Sequence, residues 1–191
     1  ETTGRMLLAD VNHGRNMTGV KDGEIKKLLI LETLPMPVHY TGGMEPISYG
    51  GTFTLERILG TVPVEADGSA RFRVPANTPI SIQPLDAEGK AVQLMRSWMT
   101  AMPGETMQCT GCHDRQNAAP PPRSFLAMKK PPSDITPWHG PVRGFSYARE
   151  VQPVIDRNCA GCHDGKARPD GGTIPDLRGD VKLAGWKSVT P

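Results

Sequence analysis

Aromatic side chains are scarce in this chain of 191 residues, which contains four Phe, three Trp and three Tyr. Hydrophobic residues of all kinds make up 37%, whereas Gly and Pro are abundant, with 21 and 19 residues. A core built from side chains alone is therefore expected to be thin, and this density of helix-breaking residues argues against a helical bundle. The composition predicts short strands, tight turns and long ordered loops.

The sequence also lacks long apolar runs and any excess of charge. No stretch approaches the ~20 apolar residues that a membrane-spanning helix needs, so no membrane span is expected. The 22 basic and 20 acidic residues leave a net charge of +2, which provides no basic groove for a nucleic acid. The first residue is Glu and no signal peptide is recognisable, so we expect a processed chain or part of a longer one.

Four cysteines are present, and they form two copies of one motif. Each copy reads Cys-x-x-Cys-His, with Cys109, Cys112 and His113 in the first and Cys159, Cys162 and His163 in the second. This is the pattern of c-type haem attachment. Two thiols at this spacing reach the two vinyl groups of one porphyrin, and the adjacent imidazole supplies the proximal iron ligand. The sequence therefore predicts two covalently bound haems c, with His113 and His163 as proximal ligands.

The same cysteines admit other interpretations. Zinc sites built from two Cys pairs usually separate the pairs by about 15–20 residues, whereas 46 residues lie between Cys112 and Cys159. A thioredoxin-like redox pair needs a βαβ setting that the sequence does not indicate. Disulfides would leave the two motif histidines without a role. A zinc site remains the main alternative to two haems.

The sixth ligand of each iron is less well defined. After His163 the chain contains no His, Met or Tyr, so the second ligand of that haem must come from upstream, from a Lys, or from another part of the protein. Histidine is the commonest metal ligand among side chains. The candidate distal iron ligands are His13, His39 and His139. For the haem on His113, we expect His139 or a methionine such as Met128 to close the sixth position.

Other side chains near the motifs are expected to surround the haems. Methionines crowd before the first motif, at Met95, Met99, Met102 and Met107. Because methionine fills irregular gaps, we expect them to pack against strands and haem edges. The cations that could pair with haem propionates are Arg96, Arg115, Arg123 and Arg149.

Residues 1–103 are predicted to form a mainly β domain that resembles an antiparallel β-sandwich. The predicted strands are Ile25–Leu31, Thr52–Leu59, Gly60–Val64, Ala70–Val74, Ile80–Leu85 and Ala91–Ser97. Within 70–74, apolar residues alternate with Arg71 and Arg73, which is the pattern of a half-buried strand. Asp67-Gly68 predicts a hairpin turn, so we expect the later strands to form an antiparallel meander.

Residues 104–191 are predicted to form an irregular, partly helical dihaem cytochrome region. Seven prolines between 120 and 141 exclude a regular element there. We expect 117–141 to form an extended strap between the two haem sites, with a mobile linker as the alternative. A helix is predicted from about Pro153 to the second motif, because Val151, Val154 and Ile155 share one face.

Several segments have a recognisable pattern. Gly-Thr-Val-Pro-Val-Glu-Ala-Asp-Gly-Ser at 60–69, Val-Pro-Ala-Asn-Thr-Pro at 74–79 and Pro-Gly-Glu at 103–105 lead into the first haem motif. Tyr-Gly-Gly-Thr-Phe lies upstream at 49–53, and Phe-Ser-Tyr-Ala-Arg-Glu-Val-Gln-Pro at 145–153 precedes the second motif. Together they resemble the middle and C-terminal haem region of the hydrazine synthase alpha-subunit-like family.

The resemblance implies a β-propeller before this region, redox chemistry at haem and a place in a larger complex. It implies one catalytic haem bound by a Tyr four residues after the motif His, where this chain has Asn117. It also implies a bis-His second haem with a distal His far upstream, which favours His13 for the haem on His163.

We therefore expect an exported, periplasmic or otherwise extracytoplasmic dihaem c-type cytochrome module for electron transfer. Its partners would be redox proteins or other domains and subunits of a larger complex. The alternative is a hydrazine synthase-like oxidoreductase that acts on a small nitrogen or oxygen species at a five-coordinate first haem.

We predict two covalent haems per chain, because the duplicated motif uses every cysteine. Haem staining of denaturing gels and intact-mass spectrometry should show two haem additions. A colourless protein that carries zinc would contradict this prediction.

Overall fold

The computed structural model of the chain describes residues 1–14, 17–35, 55–95, 97–112, 119, 122–144 and 146–179. They form seven strands: β1 (Thr3–Leu8), β2 (Lys27–Thr33), β3 (Glu56–Pro63), β4 (Ala70–Pro75), β5 (Ile80–Leu85), β6 (Thr106–Cys109) and β7 (Arg143–Gly144). They also form a 3-10 helix (Leu126–Lys129), a π-helix (Tyr147–Val151) and an α-helix, α1 (Gln152–Asn158). Within these ranges every helix is too short or too polar to traverse a lipid bilayer.

The chain divides into two compact units, Glu1–Gly144 and Phe145–Pro191. In the first unit the strands form two sheets. One has the order β4-β1-β6, in which β1 is antiparallel to β4 and parallel to β6. The other has the order β5-β2-β3-β7 and is antiparallel throughout. The prediction of a mainly β fold is confirmed, with the β1–β6 pair as a parallel exception.

One hydrophobic core joins the two sheets. Met6 and Phe72 contribute from the first sheet, and Leu28, Ile30 and Ile80 contribute from the second. Burial of these side chains removes apolar surface from water, at about 25 cal/mol per Å2. The sandwich-like packing of two sheets therefore forms from side chains of the first unit alone.

Strand β4 shows why the alternating pattern predicted a strand correctly. Ala70, Phe72 and Val74 are each 1% exposed and face the core. Arg71 and Arg73 point to the other face, as a period of two requires. The observed strand covers the predicted residues and adds Pro75.

The predicted meander is wrong, because the turn at Asp67-Gly68 joins strands of different sheets. The turn itself is present, with the N–H of Gly68 bonded to the carbonyl of Glu65 (2.9 Å). However, β3 pairs with β2 and β7, whereas β4 pairs with β1. Strand β1 was not predicted. It pairs antiparallel with β4, where the prediction placed the preceding strand of the hairpin.

The other predicted strands agree with the structure to different degrees. Strand β5 has the predicted bounds, and β2 is shifted by two residues from the predicted 25–31. The two strands predicted over 52–59 and 60–64 are wrong as separate elements, because the single strand β3 covers parts of both. The expected strand over 91–97 is wrong, since Ala91 makes only an isolated bridge to Leu85 and the rest is irregular. Residues 52–54 and Arg96 lie outside the described residues.

The described part of the proline-rich segment is attached along β4. Ser133 exchanges backbone hydrogen bonds with Arg71 and Arg73, each 2.9 Å long. The 3-10 helix is held at its start, where the N–H of Leu126 donates to Asp67 Oδ2 (2.9 Å) and the N–H of Ala127 donates to Ser69 Oγ (3.1 Å).

The structural division between the units falls later than the predicted boundary between 103 and 104. Strand β6 completes the first sheet, and the proline-rich segment packs on β4, so both belong to the first unit. The two haem motifs therefore lie in different units. The start of α1 agrees with the sequence, because Pro153 occupies its first turn.

Asp67 is predicted to make the attachment of the 3-10 helix acid-sensitive. Burial raises the pKa of Asp67, but hydrogen bonds from Ser69 and Leu126 and the charge of Arg123 hold that pKa below its ordinary value. A carboxyl group whose pKa is lower in the folded state stabilises the fold at pH values above its unfolded-state pKa. This contribution is lost as the pH falls through the folded-state pKa.

We expect Asp67→Asn to lower the free energy of unfolding by about 1 kcal/mol at neutral pH and to speed amide exchange at Leu126. It should also flatten the fall in stability on acidification. Asp134→Asn is the matched control, because the Asp134 side chain is 81% exposed and exposed ion pairs contribute little. Chemical denaturation between neutral and acid pH, with hydrogen exchange, makes the comparison. Equal pH profiles for Asp67→Asn and the unmodified chain would contradict it.

Candidate functional site

The first haem motif begins at the end of β6, where the parallel pairing with β1 continues beyond both strands. The N–H of Ala9 donates to the carbonyl of Cys109 (2.9 Å). The N–H of Asp10 donates to the carbonyl of Thr110 (3.0 Å). Residues 9–14, the motif loop, therefore run beside the motif and hold its backbone.

Two glycines allow the motif loop and the motif to approach this closely. A Cβ at Gly111 would collide with the carbonyl oxygen of His13, and a Cβ at Gly14 would collide with the carbonyl oxygen of Cys112. The obstructing atoms are backbone atoms, so neither can move aside as a flexible side chain would. The Thr-Gly spacer of the first motif is thus fitted to this contact.

The motif loop is itself anchored to the β3–β4 turn and to the proline-rich segment. Val11 is 1% exposed, and its N–H donates to the carbonyl of Gly68 (2.8 Å). Arg123 pairs with Asp10 (2.9 Å) and also donates to the carbonyl of Asp67 (2.8 Å). Arg123, predicted as a cation for a haem propionate, is therefore already engaged with a carboxylate.

An apolar cavity of about 200 Å3 opens beside the first motif. Its walls come from β1, β4 and β5, from residues 93–95 and 99 and from the motif, and both Cys109 and Cys112 line it. Apart from the cysteines, the one polar side chain among the described lining residues is Gln93. Such a lining excludes water and offers a surface that matches the edge of a porphyrin.

The residues of the first motif fit a covalently attached haem. Cys109 and Cys112 both line one apolar cavity, as attachment to one macrocycle requires. Small-molecule sites usually measure roughly 300–1,000 Å3, so a cavity of about 200 Å3 accepts an edge rather than a whole haem. His113 lies outside the described residues.

The second haem motif follows α1 directly. The N–H of Cys159 bonds to the carbonyl of Ile155 (2.8 Å), and the N–H of His163 bonds to the carbonyl of Cys159 (2.9 Å). The chain then returns, and the N–H of Leu177 donates to the carbonyl of His163 (3.0 Å). The side chain of Gln152 secures this return by donating to the carbonyl of Leu177 (2.9 Å).

Polar turns carry the segment after His163. Lys166 hydrogen-bonds to Asp164 through its side chain and its backbone N–H, and these bonds lower the pKa of that carboxyl below its ordinary value. Arg178 does the same to the pKa of Asp176.

The second unit has no buried side chain among its described residues, 146–179. Apolar groups that would normally form a core are exposed, including Tyr147 at 58%, Val154 at 52% and Leu177 at 37%. The ring nitrogen Nδ1 of His163 is buried without a hydrogen-bond partner in the described part. A haem on Cys159 and Cys162 fits these observations, because it supplies the missing apolar body.

The predicted distal ligands occupy separate places. His13 is exposed on the motif loop, and its carbonyl contacts the first motif. His139 is exposed and makes an edge contact with Trp138, with ring centroids 4.3 Å apart. Met128 is 49% exposed on the 3-10 helix. His39 lies outside the described residues, so its role stays a prediction.

Sequence reasoning missed the motif loop and the composition of the cavity. The run Met-Leu-Leu-Ala at 6–9 was an available signal for β1, but its pairing with β6 spans about a hundred residues of sequence. No group of three or more His, Cys, Asp or Glu within the described ranges is arranged to hold a metal ion directly. Asn117, Arg96 and Arg115 lie outside those ranges.

Comparisons with known proteins converge on one family. A family model described as the hydrazine synthase alpha subunit middle domain matches residues 23–114. Hydrazine synthase subunit alpha of Kuenenia stuttgartiensis is 26% identical over 187 residues, covering 69% of this chain and 23% of that protein. A solved structure of Kuenenia stuttgartiensis hydrazine synthase has the same fold, with a TM-score of 0.70 and 19% identity, covering 96% of this chain and 31% of that one. The chain thus spans about a quarter to a third of these relatives' length.

The two motif glycines should respond differently to the same substitution. Gly111→Ala should force the motif away from the motif loop, at a cost of about 1–3 kcal/mol, and should reduce haem attachment at the first motif. Gly161→Ala is the matched control in the second motif, since nothing lies within 4 Å of its added Cβ. Thermal unfolding and the mass of the purified chains measure both effects. Equal losses in the two variants would contradict a specific backbone contact at Gly111.

Proposed function

We propose that the chain is a dihaem c-type cytochrome module for electron transfer, related to the hydrazine synthase alpha subunit whose middle-domain model matches residues 23–114. The observation that carries the proposal is the separate setting of the two attachment motifs. One faces an apolar cavity in a β unit with its own core, and the other lies in a unit whose described residues lack a core. Both settings suit a large apolar cofactor that is attached through thioethers.

The residues around each motif have distinct roles in this proposal. When bound, each haem supplies a one-electron change between ferric and ferrous iron. Cys109 and Cys112 would hold the first haem beside the cavity, and the apolar lining would keep water from its edge. A dry, apolar shell favours the less charged ferrous state and so would raise the reduction potential. Cys159 and Cys162 would hold the second haem at the end of α1, together with His163.

Location and partners follow from the same proposal. Covalent haem attachment takes place outside the bacterial cytoplasm, so we infer that the chain works in the periplasm or an equivalent compartment. The similar Kuenenia stuttgartiensis protein is named a subunit alpha. This name supports the proposal that the partners are other subunits or domains of a complex. Electrons would enter from a redox protein and leave toward that complex.

A second function has one observation in its favour. The cavity beside Cys109 and Cys112 is open, and the relatives are named hydrazine synthase. A five-coordinate first haem could therefore act on a small nitrogen or oxygen species, as an oxidoreductase of the hydrazine synthase-like type. The two functions differ in the number of irons with a vacant sixth position.

The coordination state of the reduced protein separates the two functions. We expect two low-spin haems and no rapid, stoichiometric binding of CO, because an electron-transfer haem needs both axial positions filled. His13→Ala should convert one haem to high spin, as expected for a distal ligand of the haem on His163. His139→Ala is the matched control and should leave that haem low-spin. Fast binding of one CO per unmodified chain would favour the enzyme.

A further inference from the structure

We infer that Arg123 is a positioning residue for the first haem motif, because it ties the chain that follows the motif to the loop that holds the motif. This inference rests on the proposed function, since it gives Arg123 a part in placing a haem on Cys109 and Cys112. The sequence suggests Arg123 only as a partner for a haem propionate, whereas the structure gives its guanidinium other partners.

One nitrogen of the Arg123 guanidinium bridges two parts of the first unit. Nη2 donates to Oδ2 of Asp10 on the motif loop (2.9 Å) and to the carbonyl of Asp67 in the β3–β4 turn (2.8 Å). The same nitrogen lies 3.5 Å from the carbonyl oxygen of Ala9. The guanidinium carbon lies 5.7 Å from the centre of the Phe125 ring. A planar guanidinium suits these partners, because it donates in fixed directions and stacks on an aromatic face.

Asp10 connects this bridge to the backbone of the first motif. Its Oδ1 accepts the N–H of Asn12 (3.0 Å) and its carbonyl accepts the N–H of His13 (3.1 Å), so Asp10 also closes the turn of the motif loop. The N–H of Asp10 donates to the carbonyl of Thr110 within the motif (3.0 Å). The residue whose carboxylate pairs with Arg123 is therefore the residue whose backbone holds the motif.

Close packing around Asp10 keeps its carboxylate in place. A Cβ at Gly68 would collide with Asp10 Oδ1 and Asn12 Nδ2, so the β3–β4 turn lies directly against the motif loop. The neighbouring Val11 donates its N–H to the carbonyl of Gly68 (2.8 Å) and is 1% exposed. The Asp10 side chain itself is 21% exposed, and salt screens a partly buried ion pair less than one in open solvent.

Arg73 makes a comparable set of contacts with the proline-rich segment. It pairs with Asp134 (2.9 Å) and donates to the carbonyl of Pro132 (3.1 Å). Its side chain is 40% exposed and that of Arg123 is 36% exposed. Arg73 is therefore the matched control, because its loss would loosen the proline-rich segment and leave the bridge from Arg123 to Asp10 intact.

The bridge gives the motif loop a second hold on the chain that carries the motif. The chain leaves the motif after Cys112 and contacts the motif loop again at Arg123, with ten residues, 113–122, in between. Loss of the bridge would let the motif move relative to the apolar cavity that Cys109 and Cys112 line. Water would then reach the edge of a haem held beside the cavity, and the reduction potential of that haem would fall.

The test uses the full-length dihaem chain and the variants Arg123→Met, Asp10→Asn and Arg73→Met. Mass spectrometry of proteolytic fragments first locates the haems. Absence of haem from the first motif of the unmodified chain would refute the proposed function itself. Hydrogen exchange of the motif-loop amides and the reduction potentials of both haems are then measured.

Arg123→Met and Asp10→Asn should each speed amide exchange in the motif loop by about fivefold, because each removes a charge-assisted hydrogen bond. Each should also lower one of the two reduction potentials and leave the other unchanged. Removal of the negative charge of Asp10 would by itself raise the potential of a nearby haem, so a fall in Asp10→Asn separates positioning from simple electrostatics. Arg73→Met should change neither the exchange rates nor the potentials.

Two results would overturn the inference when the first motif carries its haem. One is equal exchange in the motif loop of Arg123→Met and Arg73→Met, and the other is a raised or unchanged potential in Asp10→Asn. If Arg123→Met does not fold, Asp10→Asn decides alone, because it retains the shape of the side chain and removes only the charge.

Discussion

The backbone contact between the motif loop and the first haem motif is the constraint on which the functional part of the first unit depends. Gly111 and Gly14 let two segments approach more closely than any side chain would allow. The contact extends the parallel pairing of β1 and β6 past the ends of both strands. Because β1 also pairs with β4, the position of Cys109 is fixed relative to the sheet and to the cavity. The pairing of β1 with both β4 and β6 thus determines where the first motif lies in the first unit.

The two units surround their Cys-x-x-Cys-His motifs in different ways. The first has a core of its own, and its cavity is an opening at the surface of that core. The second offers a short helix, polar turns and exposed apolar side chains, with no buried residue over 146–179. In the first unit a haem would complete an existing surface, whereas in the second it would be the centre around which the chain is ordered. Under the proposed function, the two haems would add apolar volume that a sequence with 5% aromatic residues supplies sparingly.

Local patterns in the sequence were enough to predict local features. The alternation around Phe72 predicted β4, and Pro153 predicted the start of α1, whereas the role of the motif cysteines in haem attachment stays a prediction. Features that depend on distant segments were not accessible in this way. The pairing of β1 with β6 joins two short strands about a hundred residues apart, and the cavity gathers side chains from several elements. The methionines before the first motif were all predicted to pack, but the structure separates them, since Met99 and Met107 lie against the core and Met102 is 59% exposed.

The missing core of the second unit also bears on how the protein is made. Under the proposed function, a chain without its second haem would present Tyr147, Val154 and Leu177 to solvent, and a segment without buried apolar contacts opens more readily than a packed one. The first unit has a core of its own and would keep its fold in that state. Haem attachment would then determine whether the second unit is ordered.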